Sequence, residues 1–133
     1  MIKPHGSAQL TPLYVENDEQ RAAILKEAET LPKLLVNSAT AANAVMLGAG
    51  YFTPLTGYMT KADAISVANN MHTSNGLFWP TPVLNLCKDV SEISGHKRIA
   101  LLDPNVAGNP IIAVQTVDNI EELSQAELDL ITE

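Results

Sequence analysis

Residues 37–59 read NSATAANAVMLGAGYFTPLTGYM, and the way this run divides decides the fold. Asn37 or Ser38 can accept a hydrogen bond from the free amides of a first helical turn, so either suits an N-cap. Behind them Ala42, Val45, Met46 and Ala49 recur at helical spacing and predict an apolar stripe on one face. Gly48-Ala49-Gly50 then supplies a residue that tolerates positive φ, and the helix is expected to stop there. The loop that follows, YFTPLTGYM over residues 51–59, is punctuated by Pro54 and Gly57 and rich in bulky side chains. These cannot all face water cheaply, so the loop either plugs a core or meets a neighbour.

Working outward toward the N-terminus, Leu34-Leu35-Val36 reads as a brief strand feeding this motif, and Pro32 ends whatever precedes it. What precedes it is a helix over residues 18–31, capped by Asn17 or Asp18, with Ile24, Leu25, Ala28 and Leu31 on its apolar side. Leu13-Tyr14-Val15 could form a short strand, while residues 1–12, broken by Pro4, Gly6 and Pro12, are irregular.

Toward the C-terminus, Thr60 and Asp63 have capping-box spacing, with Asp in place of Glu, and Ala64, Val67, Ala68 and Met71 repeat as one helical face. Ser74-Asn75-Gly76 is a turn, Pro80 and Pro82 keep residues 77–82 extended, and residues 83–87 read as a strand. Residues 88–95 are a turn of helix ended by Gly95. Residues 98–103 and 111–117 are two apolar strands joined through the Pro/Asn/Gly-rich 104–110 connection. Their unbroken apolar character predicts burial on both faces or a closed, barrel-like sheet. Ser124 and Glu127 open a last helix with Leu123, Ala126 and Leu130 on one side. It runs to Thr132-Glu133 without a cap, so the end reads as cut.

The 133 residues suit one domain, which folding would bury to about two thirds of its extended surface. A composition 46% hydrophobic and 17% charged is that of a globular chain. Eight Lys and Arg against fifteen Asp and Glu leave a net charge of −7, which repels phosphate backbones and anionic lipid heads. Neither nucleic acid nor membrane is therefore an expected partner. The single Cys87 excludes an internal disulfide and a Cys-cluster metal site, and its apolar surroundings suggest a buried, inert thiol. The first residues lack a signal-peptide core, no stretch approaches the ~18 apolar residues of a membrane span, and the cytoplasm is the expected location.

The central run resembles the N-S-x-x-A…L-x-x-G-x-F-[ST]-P-L-x-G-[FY]-M signature of the amino-terminal domain of the ATP sulfurylase (sulfate adenylyltransferase) family. The resemblance is carried by Asn37, Ser38, Ala41, Leu47, Gly50, Phe52, Thr53, Pro54, Leu55, Gly57, Tyr58 and Met59. It continues through Asn75-Gly76, Trp79-Pro80 and Pro82, then through Gly95, Arg98-Ile99-Ala100-Leu101, Asp103-Pro104 and Gly108-Asn109-Pro110. It spans residues 31–117 in family order and is loose over the first thirty. It implies an α+β fold, a PUA-like mixed β pseudobarrel with flanking helices, with residues 1–133 forming one amino-terminal domain and the catalytic domain lying outside this chain.

The family transfers the adenylyl group of ATP to sulfate, giving adenosine 5′-phosphosulfate and pyrophosphate, or runs the reverse. Both substrates are anionic, so Arg, His and Mg²⁺ must neutralise them before they can react. The family does this with Q-x-R-N and H-x-x-H segments of a second domain. Neither occurs here: Asn109-Pro110 lacks the preceding Gln and Arg, and the histidines stand at 5, 72 and 96. Gly48-Ala49-Gly50 ends a helix instead of opening one and is not a phosphate loop. Asp63, Asp103 and Asp118 are explained by caps and turns.

No catalytic, cofactor-binding or metal-binding residue is therefore assigned. ATP with Mg²⁺ belongs to the whole enzyme, and the isolated chain is expected to be inactive. Phe52, Pro54, Leu55, Gly57, Tyr58, Trp79 and Pro80 are the expected structural or interface residues, with the enzyme's own catalytic domain as partner. A homo-oligomer is implied for the full-length protein. The alternative reading is a free-standing PUA-like module that binds RNA or protein without an enzymatic role.

Overall fold

Asn17, not Asp18, caps the first helix, α1 (Asp18–Ala28): its side-chain oxygen accepts the amides of Glu19 at 2.8 Å and Gln20 at 3.2 Å. A computed structural model describes residues 2–132. The helix ends three residues earlier than its apolar spacing suggests. Thr30 and Leu31 donate to the carbonyls three residues back, and this tightening turns the chain before Pro32. Ala28 is buried, Ile24 half-buried and Leu25 exposed.

Three strands form one mixed sheet in the order β1-β2-β3. β1 (Lys33–Leu35) runs parallel to β2 (Arg98–Leu102), and β2 pairs antiparallel with β3 (Ile111–Thr116). The central strand places Ile99, Ala100 and Leu101 fully inside, which accounts for its unbroken apolar run. β3 lies at an edge and is half-buried along most of its length. The β2–β3 connection closes as a hairpin: Asp103 accepts the Asn105 amide (2.8 Å), and Gly108 and Asn109 take positive φ of 82° and 47°.

The helix of the central motif, α2 (Ser38–Gly48), is capped by Asn37, whose side chain accepts the Thr40 amide at 2.8 Å. Its buried face is not the one that the sequence spacing selects. Thr40, Ala41 and Leu47 are buried, Met46 is half-buried, and Ala42, Val45 and Ala49 face solvent. An alanine-rich helix is apolar nearly all round, so periodicity does not choose a side; packing against β3 does.

Two expected strands do not form. The amides of Leu13 and Tyr14 donate instead to the Gly48 carbonyl (2.9 and 3.1 Å), one of the carbonyls that the end of α2 leaves open. Residues 83–87 join no ladder. Val83 is held through its carbonyl by the Met59 amide (2.7 Å), and Asn85 donates through its side chain to Gln115 on β3 (2.8 Å).

The chain divides into two compact units. One comprises Met1–Gly57 and Asn85–Asp118, and holds the elements described so far. The other comprises Tyr58–Leu84 and Asn119–Glu133 and is built on two helices in contact, α3 (Lys61–Asn70) and α4 (Gln125–Thr132). Thr60 caps α3 by accepting the Asp63 amide (3.2 Å), but Asp63 does not complete the box. One methylene shorter than Glu, its carboxylate turns to the amide (2.9 Å) and hydroxyl of Ser74. Ser124 and Glu127 form the full reciprocal box at α4, at 3.2 and 3.0 Å. Ala64, Val67, Trp79, Val83 and Ile131 are the unit's buried apolar side chains, and Ala126 is exposed. Lys61 ties the two helices together through Glu127 (2.9 Å) and the Glu122 carbonyl (3.1 Å). The expected cut at Glu133 lies outside the described residues.

Candidate functional site

The helix end at Gly48–Tyr51 sets the geometry of the motif loop. Gly50 takes φ +82°, its amide donates to Leu47 (3.2 Å), and the Tyr51 amide donates to Met46 (3.0 Å). This is the paired closure by which a left-handed residue satisfies the last helical carbonyls. A Cβ at position 50 would stand 3.2 Å from the backbone nitrogen of Pro12 and 3.3 Å from its Cα, so residues 11–14 lie directly on the turn.

Thr53 locks this arrangement from inside. Its hydroxyl is buried, donates to the Gly50 carbonyl (2.7 Å), accepts the Thr11 amide (3.0 Å) and lies 3.2 Å from the Thr11 hydroxyl. Thr53 belongs to the motif read from the sequence. Thr11 does not, and only its position before Pro12 in a breaker-rich segment hinted at a fixed backbone. The Thr53–Pro54 peptide bond is cis.

The seven residues expected to be structural or interfacial divide between the two units. Phe52, Pro54, Leu55 and Gly57 are half-buried in the first. In the second, Trp79 is only 7% exposed, its amide donating to Met71 (2.8 Å); Tyr58 is half-buried and Pro80 exposed. Burial pushes the Tyr58 phenol up to about 12.

Several titratable residues sit in turns and pairs. His72 stands edge-on to Phe78, with ring centroids 5.7 Å apart, and its Nδ1 lies 2.7 Å from the Asn70 carbonyl. The His96 amide closes a turn onto Ile93 (3.2 Å), and Arg98 pairs with Glu27. Among the described residues, no three of His, Cys, Asp and Glu are grouped so that they could hold a metal ion. Cys87 is exposed, not buried, because the segment around it joins no strand. Partial desolvation of the thiol and the nearby Asp89 carboxylate raise its pKa, away from a reactive thiolate. Among the described residues no helix is long and apolar enough to cross a membrane.

Compared with known proteins, the sequence matches the PUA-like domain family over residues 2–129. This chain belongs to that family. As a PUA-like domain it is 60% identical over all 133 residues to the sulfate adenylyltransferase of Alcanivorax borkumensis, covering 33% of that protein. It is 50% identical over 133 residues to the sulfate adenylyltransferase of Allochromatium vinosum, covering 34% of it. Against that of the Riftia pachyptila sulfur-oxidizing endosymbiont the identity is 42%, over 30% of the relative. The PUA-like domain thus spans about a third of the length of the curated relatives it matches. A solved structure of the hexameric APS kinase from Thiobacillus denitrificans superposes on 92% of the domain and 24% of that chain, with a TM-score of 0.72 at 29% identity.

Proposed function

We infer that this PUA-like domain is the amino-terminal domain of a sulfate adenylyltransferase. In that reading it supports the enzyme that converts ATP and sulfate to adenosine 5′-phosphosulfate and pyrophosphate, or catalyses the reverse, in the cytoplasm. The observation that carries the reading is the match of the whole chain, at 60% identity, to one third of an enzyme of that name.

The domain's own chemistry fits a supporting role. The hydrogen-bonded cluster at the heart of the motif, Thr11–Thr53–Gly50, fixes a helix end. His72, Asp63, Glu27 and Glu127 are engaged in turns, caps and ion pairs. Binding and neutralising ATP, Mg²⁺ and sulfate then falls to the catalytic domain, and the isolated chain is inactive. Phe52, Pro54, Leu55, Gly57, Tyr58, Trp79 and Pro80 stabilise the support from within or at its margin. The assembled enzyme is a homo-oligomer, a reading that the hexameric state named for the structural relative supports.

The test joins this chain to the remaining two thirds of the Alcanivorax borkumensis enzyme and follows thermal unfolding. The PUA-like domain is expected to melt higher in the joined protein than alone. An unchanged melting temperature would refute the supporting role.

A further inference from the structure

Residues 10–15 are exposed along most of their length and yet firmly held. The Thr11 amide is bonded to Thr53, the Leu13 and Tyr14 amides to the Gly48 carbonyl, and Pro12 lies on Gly50. The segment is therefore pinned across the C-terminal end of α2, and it presents Leu10, Leu13, Tyr14 and Val15 to solvent. On the helix end beside it, Val45 is 65% and Tyr51 74% exposed. All six belong to the first unit.

One carboxylate meets this surface, that of Glu16, to which the Tyr14 phenol donates; the segments that build the rest of it are uncharged. Residues 6–15 and 34–60 contain no Asp, Glu, Lys, Arg or His, in a chain that is 17% charged. A solvent-facing helix and loop ordinarily alternate charges, whereas the centre of a protein interface is depleted of them and enriched in Tyr. Side chains of these sizes and exposures amount to on the order of 600 Å², the upper end of what a lone monomer leaves uncovered and below the ~800 Å² per partner of a specific bimolecular complex.

We propose that this largely apolar corner, Leu10, Leu13, Tyr14, Val15, Val45 and Tyr51, is the seat of the remainder of the sulfate adenylyltransferase polypeptide. The proposal rests on the functional reading above and adds to it a specific face, which shares only the exposed Tyr51 with the motif loop. Two observations select this occupant over a second copy of the chain. The relatives carry about twice the length of this domain in addition to it, so a partner on the same polypeptide is to hand. A tethered partner also meets the surface at millimolar effective concentration, so a patch too small for free dimerisation suffices.

Hydrogen exchange distinguishes the possibilities. Amides of residues 10–15 and 45–51 are compared in the chain alone, at low and high concentration, and in its fusion to the remaining two thirds of the Alcanivorax borkumensis enzyme. The side chains on this corner are then altered as Val45→Glu and Tyr51→Glu. At least tenfold slower exchange only in the fusion, with both variants lowering the melting temperature of the fusion but not of the chain alone, is the expected result.

Slowing in the chain alone as concentration rises would mean a second copy and would overturn the proposal. Equal exchange in a fusion that is active with ATP and sulfate would overturn it while leaving the functional reading intact, and equal exchange in a folded but inactive fusion would overturn both. Should the fusion fail to fold, exchange at the aligned positions of the Alcanivorax borkumensis enzyme decides: fast exchange there overturns the proposal.

Discussion

Gly50 shows most directly how one residue fixes the motif. It takes φ +82° to close α2, and a Cβ there would press on the Pro12 backbone at 3.2–3.3 Å. Gly50→Ala is therefore expected to cost about 1–3 kcal/mol, left-handed strain plus a tight backbone contact, and more than Gly108→Ala, at the same φ but in open space, which costs about 1 kcal/mol. Urea unfolding of both variants gives the comparison; equal losses would remove the Pro12 contact from the explanation. Tyr58 makes a second prediction at this scale. Its phenol, at about 12 in the fold against 10.0 unfolded, contributes stability that is intact below pH 10. That contribution disappears as pH climbs from 10 toward 12, because the unfolded chain ionises first. Tyr58→Phe should flatten the alkaline limb of a pH–stability curve.

The elements separate what is local from what is not. Caps were legible in the sequence because they are decided within four residues: of the two candidates for α2 it is Asn37 that caps, Thr60 caps α3 although Asp63 does not complete its box, and the Ser124–Glu127 box of α4 stands as read. The hairpin of β2 and β3 was legible for the same reason, from two apolar runs around a Pro/Asn/Gly connection. Which face α2 buries was not, since Ala42, Val45 and Ala49 are as apolar as Ala41 and Leu47 and only the sheet distinguishes them. Residues 83–87 failed likewise: an apolar run becomes a strand only if its backbone pairs with a neighbour, and here Asn85 reaches β3 through its side chain instead.

The α4 box yields two expectations. Ser124→Ala should cost about 1 kcal/mol, the usual loss of a cap. The Ser124 amide, followed by Lys61, holds the Glu127 carboxyl at about 2, below its ordinary 4.5. Its contribution is present above pH 4.5 and drains away as pH falls toward 2. An acid titration of Glu127→Gln lacking that slope would confirm the source, and an unaltered slope would place it elsewhere.

At the scale of the whole molecule, the α+β, PUA-like character was readable because the central motif, the Trp79-Pro80 run and the hairpin occur together in one order. The division into two units was not, because the second is assembled from two separated stretches, Tyr58–Leu84 and Asn119–Glu133, that no local pattern links. The motif loop drew attention for its aromatics, yet its most specific bonds come from Thr53 and Thr11. The apolar corner around Tyr14 and Tyr51 emerges only when residues 10–15 are seen lying on the end of α2.

In the proposed function this molecule is a supporting domain whose catalytic partners lie on other residues of a longer enzyme. Pyrophosphate release with ATP, sulfate and Mg²⁺, measured on the 133-residue chain alone and on its fusion to the remainder of the Alcanivorax borkumensis enzyme, tests that claim most directly. Turnover in the fusion and none in the chain alone is the predicted result; turnover by the chain alone would contradict it and return attention to His72, His96 and Arg98.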